Sequence, residues 1–90
     1  MDNIKDDKYY LSKIIEDVEF VIEETLNMTE DDFSDNEVVN CAVSFKFIQI
    51  SENASKLSNK FLDENNTIPW HKIKGLRNKI VHEYENIFID

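Results

Sequence analysis

Residues 34–63 read SDNEVVNCAVSFKFIQISENASKLSNKFLD, with no glycine or proline among them. Their apolar side chains fall on two stripes at helical spacing. One is Val38, Ala42, Phe45 and Ile48; the other is Val39, Val43, Phe47, Ile50, Ala54, Leu57 and Phe61. Ser34 and Glu37, three apart, fit a capping box and predict the helix start. The pattern runs to about Asp63. A helix that is apolar over so wide an arc is covered from more than one side. It reads as a central helix, packed against its own chain and against a second copy.

The flanks agree with that plan. From Asp7 to about Asn27 the apolar positions are Leu11, Ile14, Ile15, Val18, Val21, Ile22 and Leu26, in steps of three and four. They predict an amphipathic helix, with Lys13, Glu16, Asp17, Glu23 and Glu24 on the opposite side. Met28 to Asn36 is polar and acidic, a loop or short helical turn that Phe33 would anchor. Residues 64–68 read as a polar turn. Pro69 suits a first helical position, where its missing N–H costs nothing. A third helix is expected from there to about Tyr84, with Trp70, Ile73, Leu76 and Ile80 inward. Residues 85–90 carry no clear signal.

The expected fold is therefore all-α. It is a small antiparallel helical bundle, one domain over residues 1–90, dimerising through its helices. One glycine and one proline are too few to turn a many-stranded sheet. A chain of 90 residues buries only about 60% of its unfolded surface, a deficit that a second copy would relieve.

The formal charge is −9, from 19 acidic and 10 basic side chains. As a whole the chain repels nucleic acid and anionic membrane, so any RNA contact must be local. Cys41 is the single cysteine and cannot form an internal disulfide. That suits a reducing cytosol, with Cys41 expected as a small buried hydrophobe. No apolar run approaches the roughly 20 residues that span a bilayer. Residues 1–7 lack a signal-peptide pattern. A cytoplasmic protein with no membrane contact is expected.

One segment breaks the acidic rule. Residues 71–82 read HKIKGLRNKIVH, with four cationic side chains, both histidines and no acid. Arg77 is the only arginine in the chain. Its guanidinium offers a planar fork of donors suited to phosphate. His82, five residues on, can carry a proton near neutral pH. Together they are enough to cleave a phosphodiester without a metal, using the 2′-OH of RNA as nucleophile. His82 would take or give the proton, and Arg77 would stabilise charge on the phosphorane oxygens. On an ideal helix the two point ~140° apart, whereas Asn78 and His82 share a face and Arg77 and Tyr84 align within ~20°. One helix presents the pair poorly to one phosphate; two helices meeting across a two-fold axis could combine them.

Lys72, Lys74 and Lys79 are solvated lysines that could also hold RNA phosphates. Glu52 is expected to be exposed or to pair with a cation. His71 is expected to be structural or solvated. His71 and His82 are eleven residues apart with no cysteine beside them, so neither metal nor cofactor is expected.

Arg77-Asn78-Lys79-Ile80-Val81-His82-Glu83-Tyr84 resembles the Arg-x4-His-x-Tyr motif of HepT-like toxins in the HEPN superfamily. Ile68-Pro69-Trp70, Gly75-Leu76, Asp7 with Tyr10-Leu11, Ala42-Val43 and the run from Ile50 to Leu57 are similar to that family too. The resemblance covers nearly the whole chain. It implies a dimerising helical bundle whose Arg77 and His82 line a cleft between protomers. From its place on the face of His82, Asn78 would orient the histidine or bind phosphate, and Lys74 and Lys79 are candidate RNA contacts. It implies a metal-independent endoribonuclease. Its partner would be a minimal nucleotidyltransferase antitoxin that transfers AMP from ATP to Tyr84. The added AMP would block and repel RNA by bulk and charge. Two features depart from the family. Ser51 stands where glycine is usual, and relatives commonly continue into another helix beyond the position of Asp90. The other reading is a non-catalytic HEPN module that supports a partner nucleotidyltransferase. The −9 charge favours it; the intact Arg, Asn, His and Tyr set favours the enzyme.

Overall fold

The computed structural model describes residues 6–89, with side chains for 6–83. Among them every regular element is a helix: α1 (Asp7–Thr25), α2 (Glu30–Asp35), α3 (Glu37–Ala54), α4 (Asn59–Glu64), α5 (Trp70–Lys74) and α6 (Leu76–Ile89). Helices α1, α2, α5 and α6 all pack on α3, which is the hub that its two apolar stripes predict. No helix among the described residues is long and apolar enough to cross a membrane.

Local hydrogen bonding moves several boundaries. The capping box lies one element early: Thr29 and Asp32 cap α2 reciprocally. Ser34 falls inside α2, and the N-cap of α3 is Asn36, whose side chain accepts from the Val39 N–H at 3.0 Å. Asparagine is as good a cap as serine, so the start moves by two residues. The expected single helix to Asp63 is broken after Ala54. Ser58 caps α4 by accepting from the Phe61 N–H at 3.1 Å. Its own N–H and hydroxyl donate to the Asp7 carboxylate at 2.7 and 2.6 Å. Serines offer the backbone such alternatives to helix, and here a partner 51 residues away fixes the break. The Ser58 hydroxyl and then its N–H hold the Asp7 carboxyl below the usual carboxylate range. The folded pKa is lowered, so this tie is present at neutral pH and is lost as pH falls through that lowered value.

Pro69 is the N-cap of α5 rather than its first helical residue. Its φ of −77° and ψ of 68° make a tight inverse γ-turn, closed by Trp70 N–H donating to the Ile68 carbonyl at 2.8 Å. Gly75 divides the expected third helix. Its backbone stays right-handed, with φ −81° and ψ −10°, but the i to i−4 ladder stops there and restarts with Lys79 donating to the Gly75 carbonyl at 3.2 Å. The segment after Tyr84 is helical to Ile89.

The core joins Ile14, Ile50, Ala54, Leu57 and Trp70, with Tyr10, Phe47, Phe61, Leu62 and Ile73 packed around them. Trp70 anchors it. Its indole N–H donates to the Asn65 carbonyl at 3.0 Å, and its ring meets Phe61 at 6.0 Å. The stripe of Val43, Ile50, Ala54 and Leu57 is the buried one, while Val38 and Phe45 of the other stripe are exposed. Leu76 and Ile80 are half-buried.

Two placements differ from expectation. Asp17 is 8% exposed rather than on the outer side. It follows Ile14 by three and precedes Val21 by four, so it belongs to the buried strip. Lys46 of α3 meets it at 3.2 Å, and the same ammonium lies 5.0 Å from the Phe20 ring centre. A buried carboxylate needs such a partner. Cys41 is exposed, because it stands ~200° around α3 from the buried Val43. Ile15, Val18, Ile22 and Leu26 form an exposed apolar row along α1.

Candidate active site

The acid-free segment spans α5, Gly75 and the first half of α6. A buried anchor sets its position at each end of α5. Trp70 pins the first turn into the core. Ser51, only 2% exposed, donates its hydroxyl to the Lys74 carbonyl at 2.8 Å and pins the last turn to α3. This is the position where the resembled family usually has glycine. The serine fits and adds a tether between helices, an interaction worth about 1 kcal/mol.

Arg77 projects from the first turn of α6 and is half exposed. Its Nε donates to Glu52 Oε1 of α3 at 2.9 Å. One terminal nitrogen, Nη1, donates to Asn78 Oδ1 at 3.4 Å. Glu52 is thus the cation's partner that its sequence suggests, and it stands beside Ser51 on the helix that tethers Lys74. The carboxylate grips the inner edge of the guanidinium. The terminal nitrogens remain the outward part of the fork, the part that suits a phosphate. An exposed pair of this kind adds little stability, so its consequence is orientation.

His82 lies exposed two turns into α6. It stands five residues after Arg77 in one continuous helix, so the two do not share a face. The structure brings together Arg77, Asn78 and Glu52. It does not bring Arg77 and His82 to one point within a single chain. The Tyr84 side chain lies outside the described residues; its backbone is in α6.

The lysines divide between two sides. Lys79 joins His71 and Lys72 around an open groove at the α5–α6 corner, floored by Gly75 and Leu76. Lys74 is not in that lining; its carbonyl is the one held by Ser51. His71, expected to be structural or solvated, faces this groove. Sequence alone gave a signal for the grouping, since 72, 75, 76 and 79 recur at helical spacing, but Gly75 obscured whether the helix ran through.

Similarity to known proteins points the same way. The family profile described as "Ribonuclease HepT-like" matches residues 14–89. A protein of Caldanaerobacter subterraneus subsp. tengcongensis named "Putative RNase TTE0752" is 31% identical over 81 residues, covering 90% of this chain and 72% of that protein. "Putative RNase MJ1380" of Methanocaldococcus jannaschii is 31% identical over 83 residues, covering 92% and 76%. "Gamma-glutamylcyclotransferase and putative RNase MJ0434" of the same organism is 34% identical over 80 residues, covering 89% of this chain and 36% of that longer protein. No solved structure gives a significant match. The family profile spans the core helices, the Glu52–Arg77 pair and the acid-free segment together, and the chain belongs to the HepT-like ribonuclease family of the HEPN type.

Proposed function

We propose that this protein is a metal-independent endoribonuclease whose catalytic residues are Arg77 and His82. One observation carries the proposal. The only arginine of the chain is held at Nε by Glu52, 2.9 Å away, in the same acid-free segment 71–82 as His82. An arginine retained only for solubility needs no such grip.

The chemistry requires nothing further from the chain. The 2′-oxygen attacks the adjacent phosphorus, and the bond from phosphorus to the 5′-oxygen breaks. His82 takes the proton from the 2′-OH or gives one to the departing 5′-oxygen. Arg77 stabilises the charge on the phosphorane, with Asn78 supporting its fork. Because Arg77 and His82 diverge on one helix, the complete site takes Arg77 from one copy and His82 from another. The exposed apolar row of Ile15, Val18, Ile22 and Leu26 supports a homodimer, since contiguous exposed apolar side chains favour association.

The cellular role proposed is that of a toxin in the cytoplasm. Its antitoxin is a minimal nucleotidyltransferase that transfers AMP from ATP to Tyr84, two residues beyond His82. The modification places a phosphate and a bulky nucleoside beside the catalytic histidine, where they exclude RNA. Tyr84→Phe should remain toxic and resist the antitoxin; labelled AMP still appearing on that variant would remove Tyr84 as acceptor. The net charge of −9 favours a second reading, a non-catalytic module that supports the nucleotidyltransferase.

Product ends separate the two readings. Incubated with RNA in EDTA, the purified protein should leave 2′,3′-cyclic phosphates, and RNA that is 2′-O-methylated throughout should stay intact. Cleavage of the methylated strand, or ends carrying a 5′-phosphate, would rule out attack by the 2′-oxygen.

A further inference from the structure

The groove at the α5–α6 corner is distinct from the Arg77–Glu52 pair, and its charged lining is entirely cationic. His71, Lys72 and Lys79 line it, Gly75 and Leu76 floor it, and no carboxylate enters the lining. In a chain with 19 acids this is a marked exclusion. By contrast, the concave surface of α1 beside Lys46 is lined by Glu16, Asp17, Glu19 and Glu23.

The helix geometry relates the groove to His82. The i to i−4 ladder stops at Gly75 and restarts with Lys79 donating to the Gly75 carbonyl at 3.2 Å, so Lys79 and His82 share the wheel of α6 while His71 and Lys72 meet Lys79 across the corner. Lys79 and His82 are three apart and adjacent, separated by about 4.5 Å along the axis. Lys79 thus links the groove's His71 and Lys72 to His82, on a side of α6 turned away from Arg77.

We propose that this groove is an RNA-backbone subsite, in which Lys72 and Lys79, with His71 beside them, hold the phosphates that adjoin the one presented to His82. The proposal rests on the ribonuclease reading and deepens it. It assigns the strand's path within one copy to the His82 side and leaves Arg77 to act on the phosphate held by the other copy. Ordinary lysines on an acidic protein would not do this, because the surrounding carboxylates would repel the strand; the acid-free lining is what permits a local contact.

The test is binding of a single-stranded, fully 2′-O-methylated 12-mer RNA, followed by fluorescence anisotropy across a salt series. Each phosphate contact to a single strand adds about 0.7 to the slope of log K against log salt, so two contacts are worth about 25-fold at 0.1 M salt. The Lys72→Ala/Lys79→Ala protein should lose about 25-fold in affinity, with the slope falling by about 1.4. The Lys13→Ala/Lys60→Ala protein removes the same charge elsewhere and should keep the wild-type slope. Equal losses in both double variants would overturn the subsite, because net charge alone would then account for the effect. Failure of the wild type to bind at all would overturn it as well. The two readings are separable. Cleaving wild type with an unaltered Lys72→Ala/Lys79→Ala slope keeps the ribonuclease and removes the subsite. The expected slope change in a protein that cuts no RNA keeps the subsite and removes the ribonuclease.

Discussion

Arg77→Ala should lower RNA cleavage by about 10²- to 10³-fold, the usual loss when one preorganised donor to a developing oxyanion is removed. Stability should barely move. Arg77 and Glu52 are each about half exposed, and a pair of that kind contributes at most about 1 kcal/mol. The helical circular-dichroism signal should therefore match wild type, and a collapse of that signal would assign Arg77 to the fold. Arg77→Lys should rescue little. Lysine carries one compact ammonium, which Glu52 would occupy, and no second edge would remain for phosphate. Glu52→Gln probes the same grip. It frees the guanidinium to rotate and removes a negative charge from the path of RNA. The turnover number should fall while KM also falls, because binding improves as orientation is lost. A rise in KM with the turnover number unchanged would show that Glu52 has no part in orienting Arg77.

Trp70→Ala should unfold the chain or bring it close to unfolding. Trp70 is buried among Ile14, Ile50, Ala54 and Leu57, and its indole N–H is satisfied by the Asn65 carbonyl at 3.0 Å. Truncating a buried tryptophan costs about 3–5 kcal/mol. Domains are typically stable by only about 5–15 kcal/mol, and a 90-residue chain sits toward the lower end. The urea midpoint should drop accordingly, or the cooperative transition should vanish. Trp70→Phe retains most of the ring packing and loses the hydrogen bond, so it should cost far less. A shift below 1 kcal/mol for the alanine variant would show that the α5 anchor lies elsewhere.

The helical plan was legible because it is written in periodicity. The two stripes on α3 identified the hub, and the placing of Trp70 and Ile73 inward was right. What periodicity could not show was set by contacts distant in sequence. The break after Ala54 depends on Asp7 receiving Ser58, a pairing across 51 residues that no local pattern records. The burial of Asp17 depends on Lys46 arriving from α3. Its spacing from Ile14 and Val21 was visible, but its charge argued against an inward position. The exposure of Cys41 follows from which α3 stripe the chain covers, and composition does not decide that. At the site, the single arginine and the acid-free run of residues 71–82 stood out in the sequence. That Glu52 grips Nε, that Ser51 tethers Lys74, and that His71, Lys72 and Lys79 share a groove required the helices in place.

The central claim is that His82 performs RNA cleavage without a metal. The most direct measurement compares metal-stripped wild type with His82→Ala in EDTA, on one RNA, with both proteins shown to be equally helical. The account predicts cleavage by the wild type and none above background by the variant. Equal cleavage by both would contradict it and place the activity outside this site.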